Sequence, residues 1–157
     1  MTIEEMSDRE AIRELYARYC FYVDLGRPDL FAADFAEDAQ LWLSDRGSYL
    51  GRDAILGHVG RRSGVLLHLI HNVAIDPIEG DTATSHGYFQ LVESEAATCV
   101  AYGMYDDLLV RDGGRWYWKI KKVNYHFRSP EYQKLSESSR RPDFAETPPD
   151  VPAVCAP

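Results

Sequence analysis

Apolar residues recur at helical spacing over the first part of the chain and at strand spacing over the second half. At 100° per residue Ile12, Tyr16, Tyr19, Cys20 and Val23 share one stripe, while Arg13, Glu14 and Arg18 lie off it. The spacing predicts an amphipathic helix that opens at the capping-box run Ser7-Asp8-Arg9-Glu10 and reaches about Asp24, with Gly26 as its stop. A second short helix is expected from Pro28 to Phe35, the proline sitting in its first turn. Ala39 to Leu43 reads as a strand, Asp45-Arg46-Gly47 as a turn, and Tyr49-Leu50-Gly51 as the close of a small hairpin. A third helix is expected from Arg52 to Arg62, ended by Ser63-Gly64. The period then becomes two. Val65 to Ile75, Thr82 to Glu93, Thr98 to Arg111 and Trp116 to Phe127 read as four long strands, with connections short enough to make neighbours antiparallel. The expected fold class is α+β, N-terminal helices packed on one face of a curved antiparallel sheet, in one domain over residues 1–135. From Ser136 the residues are rich in Ser, Arg and Pro, so 136–157 is expected to be an extended or disordered tail.

Composition narrows the partners. The 157 residues are 45% hydrophobic, enough for one real core. A net charge of -8 argues against nucleic acid and anionic membrane surfaces as partners. Cys20, Cys99 and Cys155 are far apart and odd in number, which suggests neither a disulfide framework nor a zinc site and fits free thiols in a reducing cytoplasm. The acidic start Met1-Thr2-Ile3-Glu4-Glu5 is unlike a signal peptide, and no apolar run has the length of a membrane helix.

One stretch stands out chemically. Leu66-Leu67-His68-Leu69-Ile70-His71-Asn72 sets two histidines and an asparagine in an apolar, strand-like run, where an imidazole needs a hydrogen-bonding partner. With a period of two, His68, Ile70 and Asn72 share one face, and Leu67, Leu69 and His71 the other. His68 and His71 therefore cannot line one site, which also works against a metal centre built on His68, His71 and His86. The partner that singles out His68 is Asp24, at the end of the first helix. An ionised carboxylate holding one ring nitrogen fixes the tautomer and leaves the other to accept a proton, the arrangement of a general base. Tyr16, Tyr19 and Tyr22 on the helix and Tyr105 on a later strand can donate hydrogen bonds to a substrate, although a single tyrosine reads first as core or rim. Asp106-Asp107 and Glu93-x-Glu95 read as solvated strand ends. No glycine-rich phosphate loop or nucleophile elbow is present, so no cofactor is indicated.

Taken in order, Ile12-x-x-Leu15-Tyr16, Tyr22-Val23-Asp24, Phe35-Ala36-Glu37-Asp38-Ala39, Tyr49-Leu50-Gly51, His68-x-x-x-Asn72, Gly80-Asp81-x-Ala83, Gly103-x-Tyr105-x-Asp107 and Arg111-x-x-Gly114-x-Trp116 resemble the SnoaL-like branch of the nuclear transport factor 2-like superfamily over residues ~5 to 128. Scytalone dehydratase, a dehydrochlorinase, polyketide cyclases and the small subunits of ring-hydroxylating dioxygenases belong to that group. The resemblance implies a cone-shaped α+β barrel with an internal pocket, and it matches Asp24 and His68 to the aspartate and histidine base of the dehydratase and dehydrochlorinase. It also implies substrate contacts from Tyr16, Tyr19, Asn72, Tyr105 and Lys121. Lys121 stands where the dehydrochlorinase pattern has an arginine, keeping a cation without the bidentate fork; read alone, it is a solvated strand lysine. The dehydratase pattern has a tyrosine where this chain has Val23, and a second inward histidine where it has Gly87; His86 is one place off and by alternation faces the other way.

These readings lead to a cofactor-independent lyase or isomerase acting on a small apolar, aromatic or polycyclic compound. The alternative is a non-catalytic ligand-binding or subunit-association module resembling a dioxygenase small subunit. Val100, Tyr102, Met104, Trp118 and Ile120 cannot all face the helices, so a homodimer or larger homo-oligomer through the outer sheet face is expected, with the tail after Ser136 crossing onto the neighbour.

Overall fold

The computed structural model describes residues 1–59, 66–137 and 149. Helix α1 spans Ile3–Asp24 and buries Ile12, Tyr16 and Tyr19 of the stripe marked by the helical period, together with Leu15, while Cys20 and Val23 of that stripe are half-buried. Its cap is Thr2, whose hydroxyl accepts from the Glu5 amide at 3.1 Å, whereas Ser7 lies exposed within the helix. Thr2-x-x-Glu5 meets the same capping rule five residues before Ser7, and the earlier start adds more than a turn of backbone hydrogen bonds. At the other end Gly26 takes a left-handed φ of 64°, and the Arg27 amide turns back to the Tyr22 carbonyl at 2.7 Å.

Helix α2 (Pro28–Ala33) is shorter than expected, because Phe35 already belongs to strand β1 (Phe35–Leu43). Then come β2 (Gly47–Leu50), α3 (Arg52–Val59), β3 (Leu66–Ile75), β4 (Thr82–Glu93), β5 (Thr98–Asp112), β6 (Arg115–Arg128) and α4 (Pro130–Glu137). The expected end of the third helix at Arg62, the start of a strand at Val65 and the extended tail lie outside the described residues, except that Ser136 and Glu137 continue α4 and Pro149 is described singly.

The six strands form one sheet in the order β2-β1-β6-β5-β4-β3, a mixed α+β arrangement that curves round α1 without closing. Every neighbouring pair is antiparallel except β1 and β6, which run parallel with Leu41 opposite Lys121 and Leu43 opposite Val123. Their wide separation in sequence provides the crossover a parallel pair requires. Register shifts at His71/Ala74, Leu91/Val92, Tyr102/Gly103 and Leu108/Leu109 are bulges of the kind that bend a sheet. Gly103 is required at one of them, since a Cβ there would lie 1.9 Å from the Asn124 carbonyl oxygen.

The last of these shifts corrects the expected outer face. Leu108 lies opposite Ile120 but Leu109 lies opposite Trp118, so β6 carries one extra residue, Lys119, and leaves strict alternation. Trp118 consequently turns inward, fully buried and edge-on to Tyr16 with ring centroids 4.8 Å apart. Tyr102 is exposed, while Val100, Met104 and Ile120 are half-buried.

Candidate active site

Asp24 is the last residue of α1, where the carbonyl end of the helix disfavours a carboxylate and no basic residue stands in the last turn. Its compensation comes from β3. That strand is an edge of the sheet and so has backbone donors free of ladder partners. The His68 amide donates to Asp24 Oδ2 at 2.9 Å, and the ring Nδ1 of the same residue lies 2.6 Å from Oδ1. An ionised carboxylate only accepts, so Nδ1 carries the hydrogen and Nε2 the lone pair. Nε2 has no hydrogen-bond partner among the described residues. Both side chains are 14% exposed, sheltered yet in reach of a ligand.

Aromatic rings extend from this pair into the interior. Tyr19 stands edge-on to His68 with centroids 5.9 Å apart and edge-on to Tyr105 at 5.7 Å; Tyr105 stacks on Phe89 at 4.5 Å. Cys20, half-buried one turn before Asp24, has its thiol pushed up to about 12, first by burial and then by the Asp24 charge, so it stays a neutral wall group.

Lys121 is completely buried, not the solvated strand lysine suggested by its neighbours in sequence. Its Nζ donates to Asp107 Oδ2 at 2.8 Å and lies 3.9 Å from the ring centroids of Tyr105 and Trp118, 4.6 Å from Tyr19 and 4.7 Å from Tyr16. Tyr16 donates to the same Asp107 oxygen at 2.7 Å and pairs with Ser85 Oγ at 2.9 Å. Burial pushes the Asp107 carboxyl up against the pull of Lys121, and pushes Lys121 down against the pull of Asp107. Asp107 is thus an interior group rather than a solvated strand end. The committed polar atoms of Tyr16 and Lys121 form a brace behind the wall, while Tyr19 and Tyr105 stand between that brace and His68.

Asn72 is not brought to the site. It is exposed, with a φ of 53°, in the bulge that shifts β3 out of phase, so that Val73 and Ile75 take over the inward positions. His71 is exposed on the outer face with Leu67 and Leu69. His86 also faces outward, as alternation requires, and there it is buried: its Nδ1 lies 3.0 Å from Asp106 Oδ1 and its Nε2 3.0 Å from Asp76 Oδ2. Asp106 therefore belongs to an outer network and is no solvated strand end either.

Sequence reasoning missed three further interior residues, Arg46, Tyr125 and Tyr132. Arg46 lies in what reads as a solvated turn, yet it is fully buried and donates through Nη2 to the Tyr132 hydroxyl at 2.9 Å; that hydroxyl is 2.7 Å from the one on Tyr125. Tyr132 belongs to α4, for which the signal was present. Ser129-Pro130-Glu131 is a cap, a first-turn proline and an acidic first turn, and the Tyr132 amide donates to Ser129 Oγ at 3.2 Å.

A helix laid in an open curved sheet, with a histidine held by a carboxylate, defines a class of α+β proteins. The sequence matches the SnoaL-like domain family over residues 4–124, and the chain belongs to that family. No curated protein matches it. Several solved structures share the nuclear transport factor 2-like fold. Hexachlorocyclohexane dehydrochlorinase from Novosphingobium barchaimii is 19% identical, with 82% of this chain and 92% of that chain covered and a TM-score of 0.72. A candidate scytalone dehydratase from Novosphingobium aromaticivorans is 22% identical, with 83% and 97% covered and a TM-score of 0.69. The beta subunit of a candidate aromatic-ring-hydroxylating dioxygenase from the same organism is 17% identical, with 77% and 90% covered and a TM-score of 0.67. At these identities the likeness is one of fold. Among the described residues no helix is long and apolar enough to cross a membrane.

Proposed function

We propose that the chain is a cofactor-independent lyase or isomerase in which His68 removes a proton from carbon and Asp24 holds it in the required tautomer. The observation that carries this is the double engagement of Asp24 by one residue, backbone amide at 2.9 Å and ring Nδ1 at 2.6 Å, with Nε2 left uncommitted among the described residues. Proton uptake at Nε2 creates an imidazolium beside a fixed carboxylate, which stabilises the charge as it forms. The wall of Tyr19, Tyr105 and Phe89 suits a small apolar or aromatic substrate and keeps water from competing for the base. The dehydrochlorinase and candidate dehydratase neighbours are compatible with elimination by such a base.

The test is a panel of cyclic ketones and halogenated alicyclic compounds incubated in deuterated water with a chelator present, followed by NMR for exchange or elimination. Wild type should act on at least one compound, His68→Ala on none, and Asp24→Asn only weakly. Turnover undiminished in His68→Ala would rule the mechanism out.

A second reading, a non-catalytic association module like a dioxygenase small subunit, draws on the outer sheet face. Leu67, Leu69, Tyr88, Tyr102 and Phe127 are all exposed there, Tyr102 and Phe127 stacked with centroids 5.4 Å apart. The same patch supports a homodimer formed sheet to sheet, for which light scattering at micromolar concentration should give twice the chain mass; a monomer would sink that assignment. Ligand bound by wild type and both variants but converted by none would favour the module.

A further inference from the structure

The proposed reaction engages the end of the interior near His68. At another point of the same aromatic wall lies a polar cluster that it leaves unused. Arg46 is wholly buried, and among the described residues its side chain makes one hydrogen bond, from Nη2 to Tyr132, while its Nε and Nη1 have no partner. Asp45, 3.5 Å from Nη2, balances the charge without taking those hydrogens. The Tyr125 and Tyr132 hydroxyls, 2.7 Å apart, share one hydrogen bond between them. Arg46 can only donate, so the second phenolic hydrogen has no acceptor among the described residues. Burial holds the Tyr125 phenol well above its ordinary range, which keeps it a donor at any working pH.

Two buried guanidinium nitrogens and a neighbouring phenolic hydrogen without acceptors among the described residues are uncommon in a folded chain, where buried donors are nearly always paired. Their place at the end of a chain of aromatic rings points to their use. Tyr125 meets Phe89 edge-on at 5.4 Å, Phe89 stacks on Tyr105, Tyr105 meets Tyr19, and Tyr19 meets His68. One aromatic wall therefore joins the donor cluster to the His68 imidazole.

We infer that Arg46, Tyr132 and Tyr125 form an oxygen anchor of the same site, taking the carbonyl of an aromatic or alicyclic ketone whose ring lies along that wall toward His68. This rests on the proton-abstraction reading for what happens at the His68 end. A neutral carbonyl fits better than a carboxylate, because the buried Arg46 already has a counter-charge in Asp45. A hydrocarbon or halocarbon of the same shape gives the donors no comparable acceptor.

The anchor is tested by binding, with no turnover required. Wild type, His68→Ala, Tyr125→Phe and Tyr132→Phe are titrated calorimetrically with 2-tetralone and with tetralin, the same bicyclic skeleton without the oxygen, and the melting temperature of each variant is recorded. Wild type and His68→Ala should hold the ketone about tenfold or more tighter than the hydrocarbon, and each folded phenylalanine variant should reduce that ratio to about twofold or less. Equal affinity of wild type for the two compounds, the result expected if only water meets these donors, overturns the anchor, as does a full ketone preference kept by the phenylalanine variants. Should one variant not fold, the other and the wild-type ratio decide. Ketone preference with no His68-dependent chemistry would remove the proton-abstraction reading and leave the anchor standing; the reverse result would do the opposite.

Discussion

Two histidines in this protein are held by aspartates, on opposite faces of the same sheet, and the contrast shows what makes one of them a candidate base. His68 offers Nδ1 to one carboxylate and, among the described residues, keeps Nε2 uncommitted. His86 has a carboxylate on each nitrogen, Asp106 and Asp76, each of which has a further donor: Asn124 Nδ2 at 2.7 Å from Asp106 and Thr84 Oγ1 at 2.6 Å from Asp76. A ring with both nitrogens occupied has no lone pair for a substrate, whereas a ring with one oriented and one open has. The nearby carboxylate is common to both sites; the vacancy on the second nitrogen separates a base from a brace.

The largest expected effect breaks that contrast directly. His68→Ala should lower turnover by a factor of roughly a thousand or more, since no other imidazole lines the site. Asp24→Asn should cost a factor of roughly a hundred to ten thousand with the fold retained, because an amide favours the wrong tautomer and carries no charge to balance imidazolium. His86→Ala should do the reverse: turnover per folded molecule within about twofold, but a stability loss of about 3 kcal/mol as Asp76 and Asp106 lose their shared partner. Steady-state rates and urea melts on the three variants check this. A His86 variant inactive but fully stable would show that the outer network communicates with the reaction.

How far the sequence revealed these sites depended on whether a residue's surroundings were local. Asp24 and His68 were legible because each is out of place by itself, a carboxylate at the wrong end of a helix dipole and an imidazole in an apolar edge strand. The four long strands were legible from alternation, and His86 was correctly turned away from the helix by the same rule. Lys121 and Asp107 were not: alternation puts them on the same face as Val123, Tyr105 and Leu109, but only the strand register makes each the buried counter-charge of the other. Arg46 sits in a polar triplet that reads as a turn, and only α4, arriving from far along the chain, seals it. The short helix α4 itself was readable from Ser129-Pro130-Glu131 but was obscured by the Pro-rich composition that follows.

The interior pair gives the next effect in size and a sign that pH can test. Lys121→Met should cost about 3 to 5 kcal/mol at neutral pH, because it leaves Asp107 buried without its cation. Burial already raises the Asp107 carboxyl, so its contribution to stability is full at acid pH and is lost as pH rises through that raised value. Removing Lys121 takes away an opposing pull and moves the loss to higher pH still. The deficit of the variant against wild type should therefore be larger at pH 8 than at pH 5. Adding Asp107→Asn, which removes the buried charge and keeps one oxygen for the Tyr16 hydroxyl while giving up the acceptor of the Lys122 amide, should recover part of it. A deficit independent of pH, or no recovery in the double variant, would mean that Lys121 acts mainly by filling space among Tyr16, Tyr19, Tyr105 and Trp118.

The smallest effect concerns Asn72, on the same strand as His68 but on the far side of its bulge. Strict alternation would put both on one face; the φ of 53° at Asn72 and the register shift between His71 and Ala74 break that phase. Asparagine is among the few residues that enter the left-handed region readily, so its value here is conformational. Asn72→Gly, which adopts the same φ freely, should change stability by no more than about 0.5 kcal/mol and leave ligand affinity unchanged. Asn72→Val should cost about 1 to 2 kcal/mol through backbone strain, with affinity per folded molecule again unchanged. Thermal melts and ligand titrations separate these outcomes. If Asn72→Gly weakened binding tenfold while its melting temperature held, the asparagine amide would be a substrate contact after all, and His68 and Asn72 would have to be read as neighbours in one site across the bulge.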